Sequence, residues 1–224
     1  MSGILTYPDF FTGNIISVTT LRGTDFSLIP GEGFAGPVVL NQVHSDRIHY
    51  IDPFNIKKYL EEPFIEGDGL FTAYSGLLLA VRTADCVPLF YTDSQAGIAG
   101  IVHAGWRGIK KGIHLKMIDE IKNKLFIVAG DIFVMLGPHI RKCCYEVGKD
   151  MIKEFGNDNF ENRDGRLYFG LEARITADLI KKGVPAGNIS SAGKCTMCSA
   201  DLRFYSYRSG DREERMLSFI GMNS

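Results

Sequence analysis

The sequence predicts a layered α+β fold. Runs rich in β-branched and aromatic residues outnumber helical segments, and the two kinds do not alternate strictly, which argues against a doubly wound sheet. The length of 224 residues suits one large domain with a sizeable core. Because no linker rich in Pro, Gly or Ser divides the chain, we predict one domain over residues 1–224.

Strands and helices are predicted from periodicity. Strand-like runs lie at 13–21, 36–44, 76–83, 87–93, 97–105, 130–137 and 216–221. The clearest helix covers 108–125, where apolar residues recur every four positions: Ile109, Ile113, Met117, Ile121 and Leu125. A second helix covers 171–183 and ends at Gly183 as a plausible C-cap, and a shorter one lies within 148–156.

Composition and charge point to small-molecule chemistry. Apolar residues make up 45% of the chain, charged residues 23%, and the formal net charge is −1. The sequence has no basic excess that would predict a nucleic-acid partner. It also has no polybasic segment that would predict binding to a membrane surface. The first residues lack the pattern of a signal peptide, and no apolar run approaches the roughly 18–20 residues of a membrane span. We expect a cytoplasmic protein, monomeric or a small homo-oligomer.

The chain has five cysteines: Cys86, Cys143, Cys144, Cys195 and Cys198. An odd number in a chain of this length argues against a disulfide framework and leaves reduced thiols, metal ligands or a nucleophile. The C-x-x-C pair of Cys195 and Cys198 stands alone. Adjacent cysteines do not easily ligate one metal together, so the sequence favours burial or a place in the cleft over a second metal site.

Three metal-binding side chains follow separate predicted strands. His44, Cys86 and His103 each lie at or just beyond the end of a β-rich run, and neighbouring strand ends in a sheet lie close enough to converge. Zinc readily accepts two imidazoles and one thiolate, and three protein ligands leave the fourth position open for water or substrate. This pattern predicts a catalytic zinc.

Charged and aromatic residues flank these candidate ligands. Asp85 precedes Cys86 and could orient a ligand or transfer protons. Since successive strand residues point to opposite faces, that role requires a turn or bulge at 85–86. Arg107 follows Trp106 at a glycine-bounded turn into a helix, where a guanidinium could clamp phosphate and an indole could stack on a planar base.

Several motifs carry a resemblance to a known family. They are NQVHSDR (41–47), GDGLFT (67–72), RTADCVPLFY (82–91), VHAGWRG (102–108), LGPHIRKCCYEV (136–147), and CTMC followed by YSYR (195–208). In this order they resemble the laccase-domain family, once called multicopper polyphenol oxidoreductases and now regarded as purine nucleoside phosphorylases. Two departures are His139, where the family more often has a small residue, and Ser209, where it more often has arginine.

The resemblance implies an activity and a site. It implies that His44, Cys86 and His103 bind a catalytic zinc. The implied reactions are phosphorolysis of adenosine, guanosine, inosine and methylthioadenosine, and hydrolytic deamination of adenosine, so the partners are purine nucleosides and phosphate. Asp85 and Arg107 belong to the matching motifs and join the catalytic set, and the expected substrate contacts are Arg82, Trp106 and Arg208. The implied fold is a single domain of mixed β-sheets layered with flanking helices, an α/β/β/α-like arrangement similar to that of cysteine-dependent deamidase toxins.

Three other functions remain open. Copper could replace zinc, since Cys/His₂ is also the core of a blue-copper site, and the protein would then oxidise phenols. Five histidines are few for a complete multicopper oxidase. A cysteine hydrolase would use Cys86 as nucleophile and His103 as base. A zinc-stabilised interaction module would need the metal for folding alone.

Overall fold

Two mixed β-sheets and a set of helices make up most of the computed structural model, which describes residues 3–8, 13–24, 33–62, 64–95, 97–200 and 203–223. In chain order the strands are β1 (Ile4–Thr6), β2 (Ile15–Thr20), β3 (Ala35–Val39), β4 (Ile48–Tyr50), β5 (Gly69–Thr72), β6 (Leu77–Thr83), β7 (Val87–Asp93), β8 (Ala99–Ala104), β9 (Ile132–Leu136), β10 (Glu146–Val147), β11 (Phe160–Arg163), β12 (Arg166–Phe169), β13 (Ile189–Ser191) and β14 (Met216–Met222). The helices are α1 (Ile56–Glu61), α2 (Trp106–Lys110), α3 (Ile113–Leu125), α4 (Asp150–Phe155) and α5 (Leu171–Lys182).

The two large sheets each combine parallel and antiparallel pairs. The five-stranded sheet has the order β1-β2-β14-β6-β3, and the six-stranded sheet has the order β13-β9-β7-β8-β5-β4. Strand β14 lies between β2 and β6, so the end of the described chain completes a sheet begun near its start. A small third sheet, β10-β12-β11, lies outside this pair. The α+β class with mixed, layered sheets is confirmed.

The core has two main parts, one on each face of the six-stranded sheet. Between the large sheets, Leu79 and Ile220 pack in the same cluster as Phe90 and Ile101. On the other face, Tyr91 and its neighbours pack against the apolar stripes of α3 and α5. Burial of these apolar faces is the main force that fixes the layers. The site described below lies at one end of this arrangement.

All the predicted strands and the predicted helices have counterparts in the structure. The helix expected over 108–125 is divided, because Gly112 adopts a left-handed backbone (φ 79°) between α2 and α3. Gly183 caps α5 in a left-handed conformation (φ 103°), as predicted. None of the helices in the described ranges is long and apolar enough to cross a membrane.

The segment 84–86 carries the chain from one large sheet to the other. Strand β6 belongs to the five-stranded sheet and β7 to the six-stranded sheet, and only three residues connect them. Asp85 has a left-handed backbone (φ 84°), so the turn expected at 85–86 is present. Because of this turn, Asp85 and Cys86 need not alternate across one strand, and both line the same cavity.

Candidate metal centre and substrate cavity

His44, Cys86 and His103 come together as a three-ligand cluster. One donor atom from each lies within 4.8 Å of the other two, and Sγ of Cys86 is 3.9 Å from Nε2 of His44. The imidazole rings of His44 and His103 meet edge to face, with centroids 4.8 Å apart. In tetrahedral zinc sites the corresponding sulfur–nitrogen separation is about 3.5 Å. The spacing and the donor types therefore fit one zinc ion with little adjustment.

Asp68 organises the turn that presents His44. Its carboxylate accepts hydrogen bonds from the backbone N–H groups of Val43 (3.3 Å), His44 (3.1 Å) and Ser45 (2.6 Å). His44 has a left-handed backbone (φ 54°), which is uncommon for residues other than glycine and needs such support. Asp68 is 1% exposed, so its charge interacts with these donors with little screening.

The same carboxylate orients His103. Nδ1 of His103 donates to Oδ1 of Asp68 over 2.8 Å, which leaves Nε2 as the nitrogen available to a metal. Burial alone would raise the pKa of Asp68, but hydrogen bonds from His103 and Ser45 lower it to about 2. Asp68 is a site residue that we did not predict. Its place between two glycines at the start of β5 was the available signal, since a buried carboxylate at a strand end needs partners.

Cys86 and His103 favour each other's charged forms. Burial by itself would raise the pKa of Cys86, but the charge of His103 and hydrogen bonds from the imidazoles lower it to about 6. In the same way Cys86 and Asp68 raise the pKa of His103 to about 9 against the effect of burial. The thiolate is the form of cysteine that binds metals and attacks electrophiles. Both a metal centre and a nucleophile are compatible with this electrostatic setting.

Gly105 leaves the space that the cluster occupies. A Cβ atom at this position would lie 2.8 Å from Cδ2 of His44 and 2.9 Å from Sγ of Cys86. These distances are shorter than van der Waals contact, so any other residue would displace a ligand. The residue between β8 and α2 must therefore be glycine for the cluster to form.

Replacing Gly105 with alanine should weaken metal binding at the three-ligand cluster by about tenfold or more, because the added methyl group displaces His44 or Cys86. Competition with a chelator of known affinity measures the change. Gly130→Ala is the matched control, since a Cβ there meets nothing within 4 Å. Equal metal affinity in the two variants would contradict the predicted crowding.

A cavity of about 450 Å³ opens beside the cluster. Its lining includes all the residues nominated from the sequence: His44, Arg82, Asp85, Cys86, His103, Trp106, Arg107 and Arg208. It also includes Tyr145, Tyr207 and Arg215, which were not among the nominated residues. The volume is in the range of sites that take a drug-sized ligand.

The cavity is rich in guanidinium groups. Arg82, Arg107, Arg208 and Arg215 all contribute to its lining. Within the described residues, none of the four forms a salt bridge with a carboxylate. Cations that are not neutralised by the protein create a favourable site for an anion such as phosphate.

Asp85 ties three segments together at the cavity wall. Oγ1 of Thr196 donates to its Oδ1 over 2.6 Å, and the backbone N–H of Arg208 donates to its Oδ2 over 2.8 Å. Its own backbone carbonyl accepts from the N–H of Ile140 over 3.0 Å. Asp85 is 7% exposed, so these partners account for its burial.

Aromatic rings support two of the cavity arginines. The guanidinium of Arg107 lies 4.5 Å from the centre of the Trp106 ring, and that of Arg208 lies 5.1 Å from the Tyr145 ring. Arg208 also donates through Nη1 to the carbonyl of Glu146 over 2.8 Å. Trp106 is half-buried against the core and lines the cavity as well. It therefore supports the turn and forms part of the cavity wall.

The other four cysteines lie together in one cluster, whereas the sequence favoured burial or a place in the cleft over a second metal site. One sulfur each from Cys143, Cys144, Cys195 and Cys198 lies within 4.8 Å of the other three. None of these cysteines is part of the cavity lining. The sulfurs of the adjacent Cys143 and Cys144 lie close together, although we expected that adjacent cysteines would not easily ligate one metal.

A mixed two-sheet α+β fold with a Cys/His₂ cluster facing a cavity defines a protein with a candidate catalytic metal centre. The chain belongs to the family described as "Multi-copper polyphenol oxidoreductase laccase", which matches residues 32–223. A purine nucleoside phosphorylase of Aquifex aeolicus is 38% identical over 160 residues, 71% of this chain and 73% of the relative. Adenosine deaminase RL5, from an unknown prokaryotic organism, is 34% identical over 196 residues, 82% of this chain and 74% of the relative.

Solved structures have the same fold. YlmD from Geobacillus stearothermophilus superimposes with a TM-score of 0.80 at 27% identity, covering 99% of this chain and 97% of that one. A Neisseria meningitidis protein superimposes with a TM-score of 0.83 over the whole of both chains, but at 23% identity it supports the fold alone. The names of the sequence relatives support a family of purine nucleoside enzymes. The relatives' names do not support the alternative of an oxidoreductase, which only the family's description mentions.

Proposed function

We propose that this protein is a zinc-dependent enzyme that cleaves purine nucleosides with phosphate and deaminates adenosine. The observation that carries the proposal is the three-ligand cluster at the wall of a cavity lined by arginines whose guanidinium groups form no salt bridge with a carboxylate in the described chain. The substrates proposed are adenosine, guanosine, inosine and methylthioadenosine. Similarity to a purine nucleoside phosphorylase and to an adenosine deaminase supports both reactions.

In this proposal His44, Cys86 and His103 hold the zinc ion, and Asp68 fixes the orientation of two of them. When bound, zinc supplies a Lewis acid with an open coordination position, which can polarise a substrate atom or activate water. The surrounding residues keep the ligand set rigid. Gly105 permits the close approach of sulfur and imidazole, and the buried Asp68 prevents rotation of the His103 ring.

The arginines bind phosphate and position it for attack on the ribose. In phosphorolysis phosphate attacks C1′ as the base departs, and positive charge develops on the sugar. The protein contributes mainly position and electrostatics. Arg107 and Arg208 are suited to hold the phosphate because aromatic rings limit their mobility. Arg82 adds positive charge from the end of β6.

An aromatic group binds the purine base, and an acidic group transfers protons to it. Trp106 offers a planar face to the base in the same cavity. Asp85 is the proposed proton carrier for the leaving amine in deamination, since each carboxylate oxygen keeps a second lone pair beyond its observed hydrogen bond. Asp85 also fixes the backbone of Arg208, so it links the phosphate-binding side to the base-binding side.

One incubation tests both reactions. The purified, zinc-loaded protein is mixed with adenosine in the presence and absence of phosphate, and adenine, inosine and hypoxanthine are separated. We expect inosine under both conditions and adenine only with phosphate. In the variant Arg107→Ala, adenine formation should fall while inosine formation persists. The proposal fails if adenosine remains unchanged both with and without phosphate.

A cysteine hydrolase is the second candidate, and one observation favours it. Cys86, His103 and Asp68 follow the order of thiol, imidazole and carboxylate that activates a nucleophilic cysteine. Peptide mapping after treatment with iodoacetamide separates the two candidates. If Cys86 binds zinc, it should be alkylated only after a chelator has removed the metal. Equal alkylation with zinc present would favour the nucleophile.

A further inference from the structure

The four cysteines 143, 144, 195 and 198, here called the Cys₄ cluster, have the dimensions of a single-ion site. All four sulfurs lie within 4.8 Å of one another, and those of Cys143 and Cys198 are 3.5 Å apart. Zinc–sulfur bonds of about 2.3 Å in a tetrahedron place the sulfurs about 3.8 Å apart. The sulfur–sulfur distances in the cluster are therefore close to those of a tetrathiolate zinc site.

Other thiol chemistry fits these distances less well. A disulfide requires sulfurs about 2.05 Å apart. The sulfurs of Cys143 and Cys198 are 3.5 Å apart, which is too far for a covalent bond. An iron–sulfur cluster places irons and sulfides between its cysteines and spreads the four sulfurs further apart than one ion does. Four sulfurs gathered this tightly are most compatible with one thiophilic cation.

Two tight turns present the sulfurs. In the first, the backbone N–H groups of Cys144 and Tyr145 both donate to the carbonyl of Arg141 over 2.9 Å. This turn brings the adjacent Cys143 and Cys144 to one side, which an extended strand would not do. In the second, the N–H of Ser199 donates to the carbonyl of Cys195 over 3.1 Å, so a turn closes around the C-x-x-C pair.

Protein contacts hold the two turns against each other. The backbone N–H of Thr196 donates to the carbonyl of His139 over 3.0 Å, and Nη1 of Arg141 donates to the carbonyl of Gly193 over 2.8 Å. The cluster is thus pre-organised by parts of the chain that have no cysteine.

We propose that the Cys₄ cluster binds a second zinc ion with a structural role. Four thiolates complete the tetrahedron and leave no open position, in contrast to the three-ligand cluster. The ion would join segments that lie 55 residues apart between Cys143 and Cys198. It would also support Thr196, which lies between two ligands and donates to Asp85 at the cavity. This inference does not depend on the proposed function.

Metal analysis of variants tests the proposal. The protein is purified in a thiol-free reductant without added metal, and zinc is counted per chain. Cys86→Ala removes the three-ligand cluster and leaves the Cys₄ cluster intact, so we expect one zinc per chain in this variant. Adding Cys198→Ser should remove it. Absence of zinc from the single variant, or its retention in the double variant, would overturn the proposal.

Cobalt provides a second measurement that does not alter the Cys₄ cluster. Cobalt loaded into Cys86→Ala should give the intense visible bands of tetrahedral coordination and the near-ultraviolet sulfur-to-cobalt charge transfer of a tetrathiolate. Intact-mass measurement of the same sample should show all four thiols reduced. A mass lower by two hydrogen atoms, mapped to a disulfide between Cys143 and Cys198, would identify an oxidised thiol pair in place of a metal site and refute the inference.

Discussion

Cys86→Ala should abolish nucleoside turnover and remove one zinc ion per chain while the protein stays folded. The thiolate is one of only three candidate ligands in its cluster, and its loss leaves two imidazoles that bind zinc weakly. We expect activity to fall by about 10³-fold or more, because the metal contributes several kcal/mol to the transition state. Metal analysis, thermal unfolding and the nucleoside assay measure the three outcomes.

The fold should survive this change because the core does not depend on the thiol. Cys86 is only partly buried and lies in the turn between β6 and β7, whereas the strands themselves are buried by packing between the sheets. A zinc-stabilised interaction module predicts the opposite result. If Cys86→Ala unfolds at low temperature, the metal is required for folding and the catalytic assignment loses its support.

His44→Ala distinguishes the zinc enzyme from the cysteine hydrolase. In the zinc enzyme His44 is a ligand equal to Cys86, so both variants should lose zinc and activity to a similar degree. In the hydrolase the working groups are Cys86, His103 and Asp68, and His44 is dispensable. A His44→Ala variant that retains activity with chelator present would establish the hydrolase.

The strands that the sequence predicts are apolar runs of five to seven residues, such as β7 and β14. The strands it missed are mostly two to four residues long, including β10 and β13, and such lengths show no measurable periodicity. The pairing of β14 with β2 and β6 could not be foreseen either. It depends on contacts between residues very distant in sequence, which local patterns do not encode.

The three-ligand cluster was predictable because its members lie at or shortly after strand ends, although β3 and β6 belong to one large sheet and β8, which contains His103, belongs to the other. Asp68 was missed because its partners are backbone N–H groups of the turn around His44, and a sequence does not show where such a turn lies. The Cys₄ cluster was missed for a related reason. Whether Cys143 and Cys144 face one point depends on the turn at Arg141, which only the backbone conformation reveals.

Asp85→Asn should reduce deamination by about 10²–10⁴-fold and phosphorolysis much less. Asparagine can keep both observed hydrogen bonds, since its oxygen can accept from the N–H of Arg208 and its amide can donate to Thr196. The geometry is then preserved, and only the ability to carry a proton is lost. Separate measurement of inosine and adenine formation gives the two rates from one reaction.

Asp85→Ala is the matched comparison, because it removes the hydrogen bonds together with the carboxylate. It should lower both reactions and raise the KM for phosphate, since the backbone of Arg208 loses its anchor. If Asp85→Asn instead deaminates adenosine at nearly the wild-type rate while Asp85→Ala does not, Asp85 is a positioning residue. The proton for the leaving amine must then come from another group, and Tyr145, whose ring lies in the same cavity, is the next to test.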